Sequence, residues 1–284
     1  MKKYPFLHTF NRVQRINATN VRERLSRKPH QLFQPHRMDF YMICLFTEGS
    51  GIHTVDFQPI NVIPGHILCV AKGQAHSFDP KETYDGNTVV FTEDFFCKTE
   101  AHRTFLNRSP LFGDPFRLSY FEAQKYYNEF NTFYHLIIAE LKKPTDQYQS
   151  DFLHNCLFNM LLLAERAYRP DGVSLNPTRQ ELLIVNFKKL AEQNLHQQLG
   201  INWYADQLNI SVRTLQNAFV QYEEETPKQW LTKRTILEIK RLLTFESKPI
   251  NEISYQLGFN ELSNFVKFFK TNTGVTPSQF RNGE

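Results

Sequence analysis

Ser263, Asn264 and Lys267 cluster on the second of two short helical runs in "NEISYQLGFNELSNFVKFFKTNTGVTPSQF", Asn251 to Phe280. A hydroxyl, an amide and an ammonium group on one short helix are equipped to reach phosphates and base edges, which is recognition chemistry. Bond-making chemistry has no comparable signal. The chain contains no P-loop, no G-x-S-x-G, no H-E-x-x-H and no paired-cysteine zinc motif, so no catalytic residue is expected. Its four cysteines, Cys44, Cys69, Cys97 and Cys156, lie far apart. They fit thiols of a reducing cytosol better than a metal site.

The elements that must position that cluster form a repeat. Ile201, Tyr204, Ala205, Leu208 and Ile210 match Ile250, Ile253, Ser254, Leu257 and Phe259 at an offset of 49. Phe219 and Thr226-Pro227 then match Phe269 and Thr276-Pro277 at an offset of 50, so one residue has been inserted between them. Each copy reads as a short helix, a tight turn, a second helix, and a Thr-Pro that opens another helix. Asn209 and Gly258 hold the turn position, and these two residue types best tolerate a left-handed backbone. Ser211 and Asn260 are the expected N-caps of the second helices. Threonine before proline caps a helix whose first position needs no N–H. Pro227 to Phe245 reads as a connecting helix with Trp230, Leu231, Ile236, Ile239 and Leu243 on one apolar stripe. Paired helix-turn-helix units of this kind brace with the first helix and enter a DNA major groove with the second.

These residues carry a family resemblance. "ISYQLGF", "NFVKFFKTNTGVTPSQFR" and "ADQLNISVRTLQNAF" resemble the AraC/XylS family of bacterial transcription regulators. The resemblance implies a DNA-binding domain over 179–284, with helix-turn-helix units at about 201–222 and 250–272. It implies that Arg213, Gln216 and Asn217 face the bases, a role that suits Arg on guanine and Gln or Asn on adenine. Ser211 and Thr214 would reach phosphates. In the second unit Leu262 and Ser263 would face the groove, while Asn264, Lys267 and Lys270 would contact the backbone. Leu262 can touch a thymine methyl but makes no hydrogen bond, so the second unit is expected to discriminate bases less sharply. Three positions depart from the family pattern: Glu224 replaces a glycine, Thr235 an arginine and Ile239 a small residue. The family reading also implies a bacterial activator acting in the cytoplasm as a homodimer, with double-stranded DNA and RNA polymerase as partners.

Upstream, "FYMICLF" reads as a strand buried on both faces, and "GSGIHTVDF", Ile67 to Ala71 and "NTVVFT" as further short strands. "HRMDFYMICLFTEGSG" and "PGHILCVAKGQAHSF" resemble the cupin-like effector-binding barrel that often precedes such a DNA-binding domain. The barrel is expected over 1–110 and a helical dimerisation and linker segment over 111–178, giving an α+β chain of two domains. Where metal-dependent cupins carry their ligands, this chain has His36, Met38, Met42 and His76. Two of four ligands make a poor divalent site, so neither metal nor cofactor is expected. The same four residues would instead wall a pocket for a small-molecule effector of unknown identity. His53 and His66 are the candidates to substitute for the missing ligands, with no assurance from strand alternation that they point inward.

Phe121 to Leu141 and Tyr148 to Tyr168 read as amphipathic helices, with stripes at Phe130, Phe133, Tyr134, Ile137 and Leu141 and at Leu153, Leu157, Met160 and Ala164. They could pack on their own domain, close the barrel or form a dimer seam. "RPDGVSLNPTRQ", Arg169 to Gln180, is the linker and, together with the helical pair before it, the expected switching element. The net charge of +4 divides evenly at Thr178 and argues neither for nor against nucleic acid. No apolar run reaches the roughly 18 residues of a membrane span. Two other readings compete: a cupin-type metal-dependent enzyme fused to a helical domain, and a regulator that needs no ligand.

Overall fold

The computed structural model describes residues 3–4, 15–27, 32–81, 83–168, 178–223 and 225–283. They fold as two compact units, one ending with the described residues at Tyr168 and the other starting at Thr178.

The first unit is built on two five-stranded sheets. One runs β1 (Lys3–Tyr4), β3 (His36–Met38), β8 (Ala75–Ser77), β5 (Ile52–Val55), β6 (Gln58–Asn61). The other runs β10 (Ser119–Glu122), β7 (His66–Val70), β4 (Tyr41–Gly49), β9 (Tyr84–Phe91), β2 (Ile16–Asn20). Pairing is antiparallel except between β1 and β3. The apolar run in β4 has a simple cause. Met42, Cys44 and Phe46 point into the core between the sheets, while Ile43 and Leu45 point to the opposite face. All five are at most 2% exposed, so neither face of this strand meets water.

That opposite face is covered by α4 (Tyr127–Leu141) and α5 (Gln149–Tyr168); α1 (Val21–Arg27), α2 (Glu93–Phe96) and α3 (Glu100–Arg108) precede them in the chain. Phe130, Tyr134 and Ile137 of α4 and Leu153, Leu157, Met160 and Ala164 of α5 join Ile43, Leu45 and Val89 in one cluster. Each of the larger side chains contributes about 1.5–3 kcal/mol by leaving water. The buried residues of the two stripes are therefore spent on packing within their own domain. The first of these helices also starts later than its periodicity predicts. Phe121 and Glu122 belong to β10, paired with Ile67 and His66 of β7, because hydrogen bonding to an open sheet edge outweighs local helical spacing. This strand lies beyond residue 110, the expected end of the barrel.

The second unit is all helix: α6 (Arg179–Asn194), a 3₁₀ turn (Leu195–Gln197), α7 (Ile201–Gln207), α8 (Val212–Tyr222), α9 (Pro227–Phe245), α10 (Ile250–Gln256), α11 (Leu262–Thr273) and α12 (Pro277–Asn282). Phe187 of α6 is the centre of the first helix-turn-helix core, with Tyr204, Phe219 and Trp230 rings 5.4, 5.3 and 5.9 Å away. Ile239, Leu243, Ile253, Leu257, Phe265 and Phe269 form the second core. The linker residues 169–177, expected to be the switch, and Glu224 lie outside the described residues.

A candidate DNA interface and a buried histidine chain

The repeat extends to individual hydrogen bonds. Leu208 N donates to Tyr204 O and Leu257 N to Ile253 O, both at 3.1 Å. Asn209 N donates to Asp206 O and Gly258 N to Tyr255 O, both at 3.0 Å. The turn is closed by Ile210 N to Ala205 O at 3.0 Å and by Phe259 N to Ser254 O at 3.1 Å. Asn209 and Gly258 are both left-handed, with φ of 53° and 77°. Thr226 and Thr276 each form a full capping box, with Gln229 and Gln279 as the reciprocal partners.

The second helices start differently. Ser211 caps α8, its hydroxyl accepting from Thr214 N at 3.0 Å. At α11 the N-cap is Glu261, with no side-chain bond, and not the expected Asn260. Leu215 and Phe219 correspond to Phe265 and Phe269 at an offset of 50, and all four are fully buried. The inserted residue therefore precedes the helix, and packing of the two phenylalanines, not the capping residue, sets its register.

With that register, Arg213, Gln216, Asn217 and Val220 correspond to Ser263, Val266, Lys267 and Lys270. On α8 the four form one exposed stripe at i, i+3, i+4 and i+7. On α11 Ser263, Lys267 and Lys270 are exposed and Val266 is half-buried. Ser211, Thr214, Leu262 and Asn264 are exposed at the leading ends of the two helices. The Ser211 and Thr214 hydroxyls are 2.8 Å apart. Leu262 corresponds to Val212 and is 37% exposed. Sequence reasoning missed Val220, 76% exposed; continuing the stripe by one helical turn would have found it.

Helix α9 ties the units together. Arg234 donates to both carboxylate oxygens of Glu192 on α6, at 2.5 and 2.8 Å, and to Glu238 at 3.3 Å. Arg241 lies 3.5 Å from Glu238. Burial lowers the Arg234 pKa, but the Glu192 and Glu238 carboxylates outweigh it and the net direction is up. Thr235 and Ile239, the departures on this helix, are both buried: the Thr235 hydroxyl donates to Leu231 O at 2.9 Å, and Ile239 lies in the second core. Beside Glu224, Glu223 pairs with Lys188 at 2.6 Å and Glu225 with Lys233 at 2.8 Å.

In the first unit, His36, Met38, Met42 and His76 converge on the barrel interior, each at most 2% exposed. His36 and His76 face each other across β3 and β8, rings 4.3 Å apart. His76 Nε2 lies 3.3 Å from Met38 Sδ, and its Nδ1 lies 3.2 Å from His53 Nε2. His53 Nδ1 continues the chain to the Tyr84 hydroxyl at 3.1 Å. Arg24 enters from α1, one nitrogen 3.9 Å from Met38 Sδ. His53 thus does point inward, whereas His66 lies against Tyr120 with rings 5.1 Å apart. Tyr84 and Arg24 were not legible as site residues; the latter comes from a helix outside the barrel motifs. Burial holds the His36 pKa down to about 4 and His53 to about 3, with help from Arg24, and His76 well below its usual value. Among the described residues no group of three or more His, Cys, Asp or Glu is placed to hold a metal ion.

A helix-turn-helix domain model matches residues 204–283, and an AraC-like ligand binding domain model matches residues 23–141. The chain is also 24% identical over 265 residues to the HTH-type transcriptional activator RhaR of Escherichia coli strain K12, covering 90% of this chain and 89% of that protein. The chain belongs to the AraC/XylS family. As a member, it is a DNA-binding transcription regulator with an α+β architecture, a cupin-like sheet domain followed by a helical helix-turn-helix domain. Two solved structures among those it resembles are ToxT from Vibrio cholerae (13% identity, 94% of this chain and 97% of that one, TM-score 0.45) and the C-terminal domain of AraT from Geobacillus stearothermophilus (25% identity, 38% and 89%, TM-score 0.35). Among the described residues, no helix of this regulator is long and apolar enough to cross a membrane.

Proposed function

We propose that this regulator reads two successive major-groove segments of double-stranded DNA, α8 entering the first and α11 the second. The observation that carries this reading is the paired stripe: Arg213, Gln216 and Asn217 on one helix, with Ser263 and Lys267 at equivalent positions on the other. Arg213 pairs with guanine O6 and N7, and Gln216 and Asn217 with adenine N6 and N7. Leu262 supplies an apolar contact to a thymine methyl. Asn264, Lys267, Lys270, Thr214 and Ser211 hold the phosphate backbone; the Ser211 hydroxyl can still donate while it accepts from Thr214 N. Binding-site selection with the full chain tests this. Two preferred segments one helical turn apart support it, with the sharper preference in the segment facing α8.

The chain acts in the cytoplasm as a homodimeric activator that contacts RNA polymerase, and it is not an enzyme. The dimer uses the outward faces of α4 and α5 within 111–178, where Leu136, Phe152 and Leu162 are 38–41% exposed. The residues around His36, Met38, Met42 and His76 bind the small-molecule effector, and no metal takes part. One observation favours a second reading, a regulator without a ligand. His53 has both ring nitrogens engaged, by Tyr84 and His76, so this histidine needs no ligand to satisfy it. Thermal-shift screening with sugars and small metabolites separates the two: a reproducible rise in melting temperature requires a pocket.

A further inference from the structure

Besides α9, a second contact links the two helix-turn-helix units. After α6 the 3₁₀ turn Leu195–Gln197 ends on Gln198, which is left-handed with φ of 51° and ψ of 40°. From there the Gln198 side chain crosses to the other unit, its Nε2 donating to Leu257 O at 2.8 Å. Leu257 is the C-cap of α10, and helix C-termini leave carbonyls without intrahelical partners. An amide from the first unit thus caps a helix of the second. At the next residue the two backbones meet. A Cβ on Gly258 would lie 2.3 Å from His196 O, 3.0 Å from its carbonyl carbon and 3.2 Å from Gln197 Cα.

This contact explains an asymmetry of the repeat. Both copies need a left-handed residue at the turn, and both asparagine and glycine can supply it. Asn209 occupies an exposed position. Gly258 sits against another backbone, where any side chain would force the turns apart by about an ångström to restore ordinary contact distances. Helix α11 begins four residues later, so a shift at this turn is carried directly into the recognition helix. Along the duplex, successive phosphates of one strand are about 3.4 Å apart. A displacement of about a third of that step spoils hydrogen bonds whose working range is about 0.5 Å.

We propose that the contact between the Leu195–Gln198 turn and the Leu257–Gly258 turn sets the distance between α8 and α11, and with it the separation of the two DNA segments the chain accepts. Gln198 and Gly258 are its positioning residues; neither touches the DNA. This inference rests on the reading that both helices enter the duplex.

The test uses the full chain and four DNA probes: the selected two-segment site, the same site with one base pair inserted or removed between segments, and the site with the α11 segment scrambled. Gln198→Met keeps length and neutrality but cannot donate. It is expected to bind the selected site about three- to tenfold more weakly, the range of one lost hydrogen bond. Its affinity for the scrambled-segment probe stays at the wild-type level, and its penalty for one inserted or removed base pair shrinks. Gly258→Ala shows the same pattern with a larger loss; should it fail to fold, Gln198→Met decides alone. Equal weakening on all four probes, or wild-type spacing preference in Gln198→Met, overturns the proposal. A wild-type chain indifferent to scrambling overturns instead the two-segment reading beneath it, so the two failures are distinguishable.

Discussion

Arg234 of α9 holds both carboxylate oxygens of Glu192 on α6, at 2.5 and 2.8 Å, and is itself almost fully buried. The pair clamps the connecting helix to the helix that opens the DNA-binding unit. Glu238 and Arg241 extend it, so two buried basic groups are balanced by one buried carboxylate and one, Glu192, at the surface. Removing one member of such a set leaves the others short of a counter-charge. Arg234→Ala should lower stability by about 3 kcal/mol in denaturant titration. Glu192→Ala should cost less, because its side chain is 41% exposed, and the double variant should lose less than the two single losses combined. Strict additivity would show that the pair is not coupled.

Arg213→Ala and Gln216→Ala each should cost about 1–3 kcal/mol at the selected site and relax preference at one base pair. Both side chains are exposed, so fold stability should change by no more than about 0.5 kcal/mol. Competition binding against all single-base variants reads out the two effects separately. Neutral behaviour of both variants would show that α8 does not read bases.

Lys267→Ala and Lys270→Ala should weaken binding to every sequence and each reduce the salt-dependence slope by about one. The measurement is affinity as a function of salt concentration on specific and random DNA. Lys267 is the counterpart of Asn217, so a loss confined to a single base pair would reassign it from the phosphates to a base edge.

The barrel should fail in acid. His36, His53 and His76 have folded pKa values held below 6.5 by burial, so between about 6.5 and the folded values the unfolded chain binds more protons. Their stabilisation is complete above about pH 6.5 and is lost as pH falls toward about 4 for His36 and about 3 for His53. Stability of the chain followed by near-UV circular dichroism should fall over this window, and His53→Phe should flatten the fall. A flat profile from pH 7 to 4 would contradict the buried neutral histidines.

The helical half was legible because its signals are local. The turn residues, the Thr-Pro caps and a repeat of about fifty residues each constrain only a few neighbours, and each is present as read. The Asn260 cap was misplaced because the insertion could sit anywhere between Phe259 and Phe269, and only burial of Phe265 and Phe269 locates it. In the barrel the strands around "FYMICLF" were legible from their apolar runs. Strand β10 was not, since Phe121 and Glu122 owe their conformation to β7, some fifty residues away in the chain. Arg24 and Tyr84 joined the histidines through tertiary contacts that no spacing encodes. The charged residues of α9 show the same limit: Arg234, Glu238 and Arg241 are buried beside one another, and no apolar spacing marks them.

The most direct test is a hydroxyl-radical footprint of the full chain on its selected site. Protection should fall in two patches on one side of the duplex, centred about 10–10.5 base pairs apart, and Arg213→Ala should weaken the first patch before the second. A single patch, or two patches on opposite sides of the duplex, would contradict a chain that reads DNA with α8 and α11 together.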